Sequence, residues 1–203
     1  SVYRSFCESV DAIDNGISTH DGEPRYRVNT DLSSRVSRLN PSWDEEQDYD
    51  GLFVKAMALT GTEFTDAVGR FGASWAKARA NVKAAVEARA SVHPSGQVLL
   101  LESFCPWKEH LFKIEGQMSL PSDIQYCVYT SSGMWRIDAV PESPGSFESR
   151  KKLPEPWRGV RDQALCDVAG IEGCTFIHNG GFTGGNKTRE GILEMASKAL
   201  THA

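Results

Sequence analysis

Long apolar runs are missing from this 203-residue chain. No stretch approaches the length of about 18 residues that a membrane-spanning helix requires, and no basic start followed by an apolar core marks a signal peptide. Paired cysteine motifs are missing too. Cys7, Cys105, Cys127, Cys166 and Cys174 are odd in number and include no Cys-x-x-Cys, which excludes a disulfide scaffold and a zinc ribbon and points to a reducing compartment. An excess of basic charge is also absent: a formal net charge of −5 argues against a protein that coats nucleic acid indiscriminately. There is no internal repeat and no low-complexity tract. The first residues, SVYRSF, lack an initiator methionine and read as entering a helix already under way, so a piece of a longer chain is expected, with any targeting segment outside it.

A phosphate-binding P-loop is absent as well, although HNGGFTGGNKTREG (178–191) comes close to one. The pattern needs a glycine, four residues, then Gly-Lys-Ser/Thr. Four residues on from Gly180 comes Gly185, but Asn186 then intervenes before Lys187. What remains is an apolar run, CTFIH, then glycines, then a helix with apolar residues at Ile192, Met195, Ala196, Ala199 and Leu200. Strand, glycine turn and helix start is a geometry that aims free N–H groups at an anion; a tight turn with solvated Lys187 and Arg189 is the plainer alternative. Asn186-Lys187-Thr188 matches a glycosylation acceptor, which without a secretory context reads as chance.

What is present is ordinary for a folded domain: 40% hydrophobic and 24% charged residues suffice for a real core. Tyr3, Cys7, Val10, Asp14 and Ile17 share one side of an opening helix that should end near Gly16. A short helix is expected around Leu32–Leu39. Phe53, Met57, Phe64, Val68, Phe71, Trp75, Val82 and Val86 then mark a long helix that Gly61, Gly69 and Gly72 should interrupt. His93-Pro94-Ser95-Gly96 is the boundary signal, dividing a helical segment 1–92 from a mixed segment 93–203. QVLLLES reads as a strand and Pro106 as the start of a helix through Leu111 and Ile114. DIQYCVYT and MWRIDAVP read as a hairpin across Ser131-Ser132-Gly133. A proline-rich loop over 141–159, a helix over 161–168, the CTFIH strand and a last helix complete a β-α-β-β-α-β-α order. The fold class is α/β of the α+β kind: a helical segment followed by a small mixed sheet with packed helices.

Asp14 stands in an otherwise apolar stripe near a helix C-terminus, where burial and the macrodipole both disfavour a carboxylate. A metal ion or an arginine would offset both, with Asp11 in support; a turn formed with Asn15-Gly16 is the other reading. CPWKEH (105–110) opens a helix, so Lys108 and His110 are candidate ligands of an anionic substrate, against an ordinary exposed helix start. Cys105 beside a helix start is a weaker candidate for an activated thiol. His178 ends a strand beside the glycine turn, as a substrate contact or a satisfied strand-end histidine. RKKLPEPWRGVR (150–161) carries five basic groups and one acid, which makes Arg150 and Arg158 candidates for phosphate.

YRSFCESVDAIDNGI, CPWKEHLFKIE, SPGSFESRKKLPEPWRGVRD and GGFTGGNKTREGILEMASKAL together resemble the C-terminal half of the Myg family, named for melanocyte proliferating gene, a branch of the DHH phosphoesterase superfamily. The likeness runs over essentially the whole chain. It implies a metal-dependent phosphoesterase, a 3′ to 5′ RNA exonuclease of mitochondrion and nucleus, with an N-terminal domain that supplies most ligands of a two-metal site, commonly manganese. Asp14 matches the last aspartate of that site, and Gly184, Gly185, Lys187 and Arg189 match the block that covers substrate phosphate in the second domain. The family blocks, with charge and loop position, also imply substrate contacts for Lys108, His110, Arg150 and Arg158. Asp-His-His does not occur in this chain, so the likeness implies an incomplete metal site and no activity without the missing domain. The expected partners are RNA or nucleotide phosphate and that domain; a homo-oligomer and a structural dimerisation domain are further possibilities. The rival reading is a non-catalytic nucleic-acid or nucleotide binding module in which Trp107 or Trp157 stacks on a base.

Overall fold

The computed structural model describes residues 2–45 and 47–202, without the side chain of Ser5. The chain divides into two compact units, Ser1–Ala76 and Lys77–Ala203.

The first unit is helical. A π-helical turn, Tyr3–Cys7, runs into α1, Glu8–Asp14; α2 is Leu32–Ser37, and α3 is Tyr49–Arg70, followed by a second π turn, Phe71–Trp75. Gly69 lies just before that turn and Gly72 within it, so the expected interruption of the long helix is a change of helical register. Asp31 caps α2: its carboxylate accepts from the Ser34 amide at 2.8 Å and the Ser34 hydroxyl at 2.7 Å. Phe6 meets Phe64 edge-on at 5.7 Å, and Arg35 pairs with Glu63. Burial is sparse. Tyr3 is 57% exposed and Ile17 63%, and α1 has no buried residue, so the stripe that was expected to bury Asp14 lies open. The α3 stripe of Phe53, Met57, Phe64 and Val68 is exposed in the same way.

The second unit begins with the bulk of α4, Ala76–Val92, and continues β1 Val98–Leu101, α5 Lys108–Gln117, β2 Tyr126–Ser131, β3 Met134–Ala139, α6 Asp162–Ala169, β4 Cys174–Ile177, β5 Thr183–Asn186 and α7 Arg189–Thr201. The sequence boundary at 92/93 falls after α4. By its packing α4 joins the sheet: Val82 and Val86 share a core with Leu99, Leu101, Trp107, Leu111 and Ile114.

The strands form one mixed sheet in the order β1-β2-β3-β5-β4, with β1 and β2 parallel and the other pairs antiparallel. The expected hairpin is there. Ser132 and Gly133 both have positive φ, 52° and 75°, the primed turn whose twist suits a two-residue connection. Alternation sends Val98, Tyr126, Val128 and Ile137 to one face, against α6, α7, Leu153 and Trp157, and Leu99, Leu101, Cys127 and Tyr129 to the other, against α4 and α5.

One element departs from the sequence reading. Thr183–Asn186, expected as a glycine turn, is a strand paired on both sides. A Cβ on Gly184 would collide with Ile177 Cδ1 and lie 2.9 Å from the Phe176 carbonyl oxygen. The glycines therefore serve close packing between strands, and the true turn is the preceding 178–182.

Candidate functional site

Strands β1, β2 and β5 run in the same direction, so the end of β1 and the start of α7 meet at one edge of the sheet. Between α4, that end of β1 and the first turn of α7 lies a groove of about 530 Å³. Its α4 wall is Asn81, Ala84 and Ala88, whose short side chains leave the space open, while Glu102, Ser103 and Arg189 supply the polar groups.

The junction that aims Arg189 is built by Asn186, which the sequence reading passed over. Asn186 is fully buried. Its Nδ2 donates to the Glu172 carbonyl at 2.8 Å, and its Oδ1 accepts from the Thr188 amide at 2.9 Å and the Thr188 hydroxyl at 3.2 Å. Thr188 then caps α7, accepting from the Gly191 amide at 3.0 Å on its hydroxyl and from the Ile192 amide at 3.1 Å on its carbonyl. These bonds satisfy a buried amide and leave Lys187 and Arg189 exposed at the positive end of a 13-residue helix. They also leave no room for a glycan on Asn186. An asparagine between a glycine pair and a capping threonine was the available signal; its glycosylation match was set aside as chance and no junction was read from it.

The other sequence-predicted residues do not converge on this groove. Lys108, exposed at the start of α5, shares the edge, but α5 and α7 pack on opposite faces of the sheet. Its Nζ sits 5.6 Å from the Trp107 ring. His110 is fully buried on the core side of α5, so it is a packing residue and not an exposed anion ligand. Arg150 is likewise engaged: Nη1 and Nη2 donate to the two Glu115 carboxylate oxygens at 2.8 and 2.7 Å, and Nη1 also donates to the Ile124 carbonyl at 3.1 Å. Both side chains are under 10% exposed, at 7% and 4%, which makes Arg150 the pin of the proline-rich loop to α5 and leaves it no free fork for phosphate.

Arg158 and His178 border the 178–182 turn at the opposite edge of the sheet. Arg158 Nε donates to the Leu153 carbonyl at 2.9 Å, directly under Gly181, where a Cβ would lie 2.7 Å from it. His178 is exposed, its Nδ1 accepting from the Gly180 amide at 3.0 Å and its ring 4.5 Å from Phe182. Gly184 and Gly185 sit in the ladder, so their structural work is close packing. Trp107 and Trp157 are 1% and 4% exposed, core residues on which no base can stack. Burial pushes the Cys105 thiol up, the reverse of an activated nucleophile.

Asp14 ends α1, exposed, with Asp11 one turn earlier. Among the described residues no group of three or more His, Cys, Asp or Glu side chains could surround a metal ion. The chain therefore holds no complete metal centre of its own within those residues; Asp14 has the chemistry and exposure to supply one ligand. Also among the described residues, no helix is long and apolar enough to cross a membrane.

A family model named MYG1_exonuc, described as "Uncharacterised protein family (UPF0160)", matches residues 1–200. The human protein named "MYG1 exonuclease" is 50% identical over 203 residues, covering 98% of this chain and 54% of its own length. The rat protein of the same name is 49% identical, with 98% and 53% covered, and a Dictyostelium discoideum "MYG1 protein" is 43% identical, with 100% and 63% covered. The chain thus spans about half to three-fifths of the length of these curated relatives. No solved structure matches it significantly. The resemblance read from the four sequence blocks holds along nearly the whole chain, and the protein belongs to the MYG1 exonuclease family.

Proposed function

We propose that this chain is the C-terminal part of a metal-dependent phosphodiester hydrolase, a 3′ to 5′ exonuclease acting on RNA, whose Lys77–Ala203 unit holds nucleotide phosphate at the edge where α7 begins. The observation that carries the reading is the 50% identity, over 98% of the chain, to a protein named an exonuclease. The local geometry supports it. Arg189 lines a groove large enough for a nucleotide, at the N-terminal end of a helix, where backbone N–H groups and the macrodipole favour an anion. A guanidinium there can form two parallel bonds to a phosphate, and Lys187 adds a second exposed cation. Glu102 in the same lining opposes a second anion and so favours one phosphate over a polyphosphate.

In this reading Asp14 contributes one ligand to a divalent-metal site, manganese being the expected ion, and the remaining ligands come from a DHH-type domain outside this chain. The metal would supply charge stabilisation at phosphorus; this chain's residues bind and orient the phosphate. The chain alone is then inactive, and the whole protein works in mitochondrion and nucleus, as the family likeness implied.

The test compares a full-length family protein carrying this sequence with the 203-residue chain, on 3′-labelled RNA with added manganese. The longer protein should shorten the RNA from the 3′ end and the chain should not. Asp14→Ala in the longer protein should lower kcat by about 100-fold or more with RNA binding kept, and Arg189→Ala should raise KM roughly 10-fold. Undiminished turnover in Asp14→Ala, or an inactive longer protein, would overturn the reading.

A further inference from the structure

One cross-strand row runs the full width of the sheet. Register places Leu101, Tyr129, Arg136, Gly185 and Phe176 side by side on β1, β2, β3, β5 and β4, all facing the α4 and α5 side. Those two helices cover the β1 and β2 end. The helices that pack on β4 and β5, α6 and α7, lie on the opposite face, so beyond Tyr129 the row is left partly exposed. Arg136 stands with its guanidinium 5.0 Å from the Phe176 ring, and Arg161, from the residue that caps α6, approaches the same ring at 5.7 Å. Neither arginine forms an ion pair among the described residues. At the covered end Phe104, 59% exposed, lies 5.3 Å from Tyr129. The acids nearby are Asp138, which accepts from the Tyr129 hydroxyl at 2.9 Å, and Asp162, next to Arg161.

We propose that this row, Phe104 resting on the buried Tyr129, then Arg136, then Phe176 with Arg161, is a binding track for single-stranded nucleic acid whose stacking faces are Phe104 and Phe176, a site separate from the α7 groove. The proposal rests on the nuclease reading for its substrate class and adds where the strand lies. With strands about 4.8 Å apart, Tyr129 and Phe176 are about 14 Å apart, room for a few nucleotides. Gly185 leaves the middle of the row without a side chain, and Phe176 leans over it: a Cβ there would be 3.2 Å from Phe176 Cε1 and 2.7 Å from Thr175 Oγ1. Alternation of aromatic and cation matches the alternation of base and phosphate along a single strand. A duplex hides its bases from such a platform, and an acidic peptide would use the cations and leave the aromatics idle. In a chain of net charge −5, two guanidinium groups without carboxylate partners stand out as complementary to a polyanion.

The experiment measures binding of a fluorescent oligouridine of roughly a dozen nucleotides, and of a duplex of the same length, to the 203-residue chain at about 50 and 200 mM salt. The single strand should bind more tightly than the duplex. Arg136→Gln with Arg161→Gln should weaken it about 10-fold or more and flatten the salt dependence by about 1.4 in log–log slope, the loss of two phosphate contacts. Phe104→Ala should weaken it about 5-fold with the slope unchanged. Arg161→Gln alone, at an exposed position, keeps the test valid if the Arg136 variant fails to fold.

Binding that is absent, that prefers the duplex, that polyglutamate of equal charge displaces equally well, or that ignores these substitutions overturns the track. Exonuclease turnover by the longer protein separates the two claims. Turnover with an unchanged KM in Arg136→Gln/Arg161→Gln overturns the track and leaves the nuclease reading standing. An inactive longer protein, with strand binding by the chain lost on these substitutions, supports the track and removes the nuclease.

Discussion

Arg150 and Glu115 show how little a residue's type says about its role until its neighbours are known. Both side chains are nearly inaccessible, and two bonds of 2.8 and 2.7 Å join them. Removing one charge strands the other in a poor dielectric, so Glu115→Leu or Arg150→Met should each cost about 3–5 kcal/mol of stability. The paired replacement Glu115→Leu/Arg150→Met should cost much less than the sum, because no unpaired charge remains. Urea denaturation of the four proteins checks this, and equal, additive small losses would show a pair that matters little. The same contrast separates His110, fully buried, from Arg189, exposed at a helix start, although both were read from the sequence as anion ligands.

At the scale of elements, α3 and β5 are the informative cases. The periodic stripe on α3 was legible, but its exposure was not: Phe53 is 65% and Met57 56% exposed. Periodicity reports that a face is apolar and carries no information about what covers it. A face of this kind should bind a hydrophobic dye. Phe53→Lys/Met57→Lys should lower that fluorescence severalfold and leave the melting temperature within a few degrees, since neither side chain is buried in this chain. A large drop in melting temperature would mean the stripe packs within the chain after all. Strand β5 went unread for a different reason: Thr-Gly-Gly-Asn has turn composition and low strand propensity, and only the ladders to β3 and β4 make it a strand.

At the scale of the whole molecule, the titrating groups displaced most by burial lie in the sheet unit and are displaced upward. Burial raises the Cys105, Cys127, Tyr126 and Tyr129 groups and takes Cys174 up to about 11 from an ordinary 9.0. A raised folded value means that stability is intact below the unfolded value and is lost as pH climbs through the folded one. Stability should therefore hold up to pH 9.0 and fall between there and about 11, the window set by Cys174, as the unfolded state ionises first. Denaturation curves on either side of that window measure it; a flat profile would place these thiols and phenols in contact with water.

Composition, strand alternation, the two-residue hairpin and the family blocks were decided by the sequence alone, because each is local or is carried by residue identity. The α+β class, a hairpin across Ser131-Ser132-Gly133 and the interruption of the long helix near Gly69 and Gly72 all follow from such signals; strand β5 does not. Tertiary structure decided which charges are used up in the interior and which face outward. It sent Arg150 to Glu115 and Arg189 to a groove, turned a glycine pair into a strand, and set Arg136 and Phe176 in one row although they are 40 positions apart in the chain. The physical reason is that burial and cross-strand neighbourhood are properties of pairs distant in sequence, and the free energy of a polar group depends on those neighbours more than on its own identity.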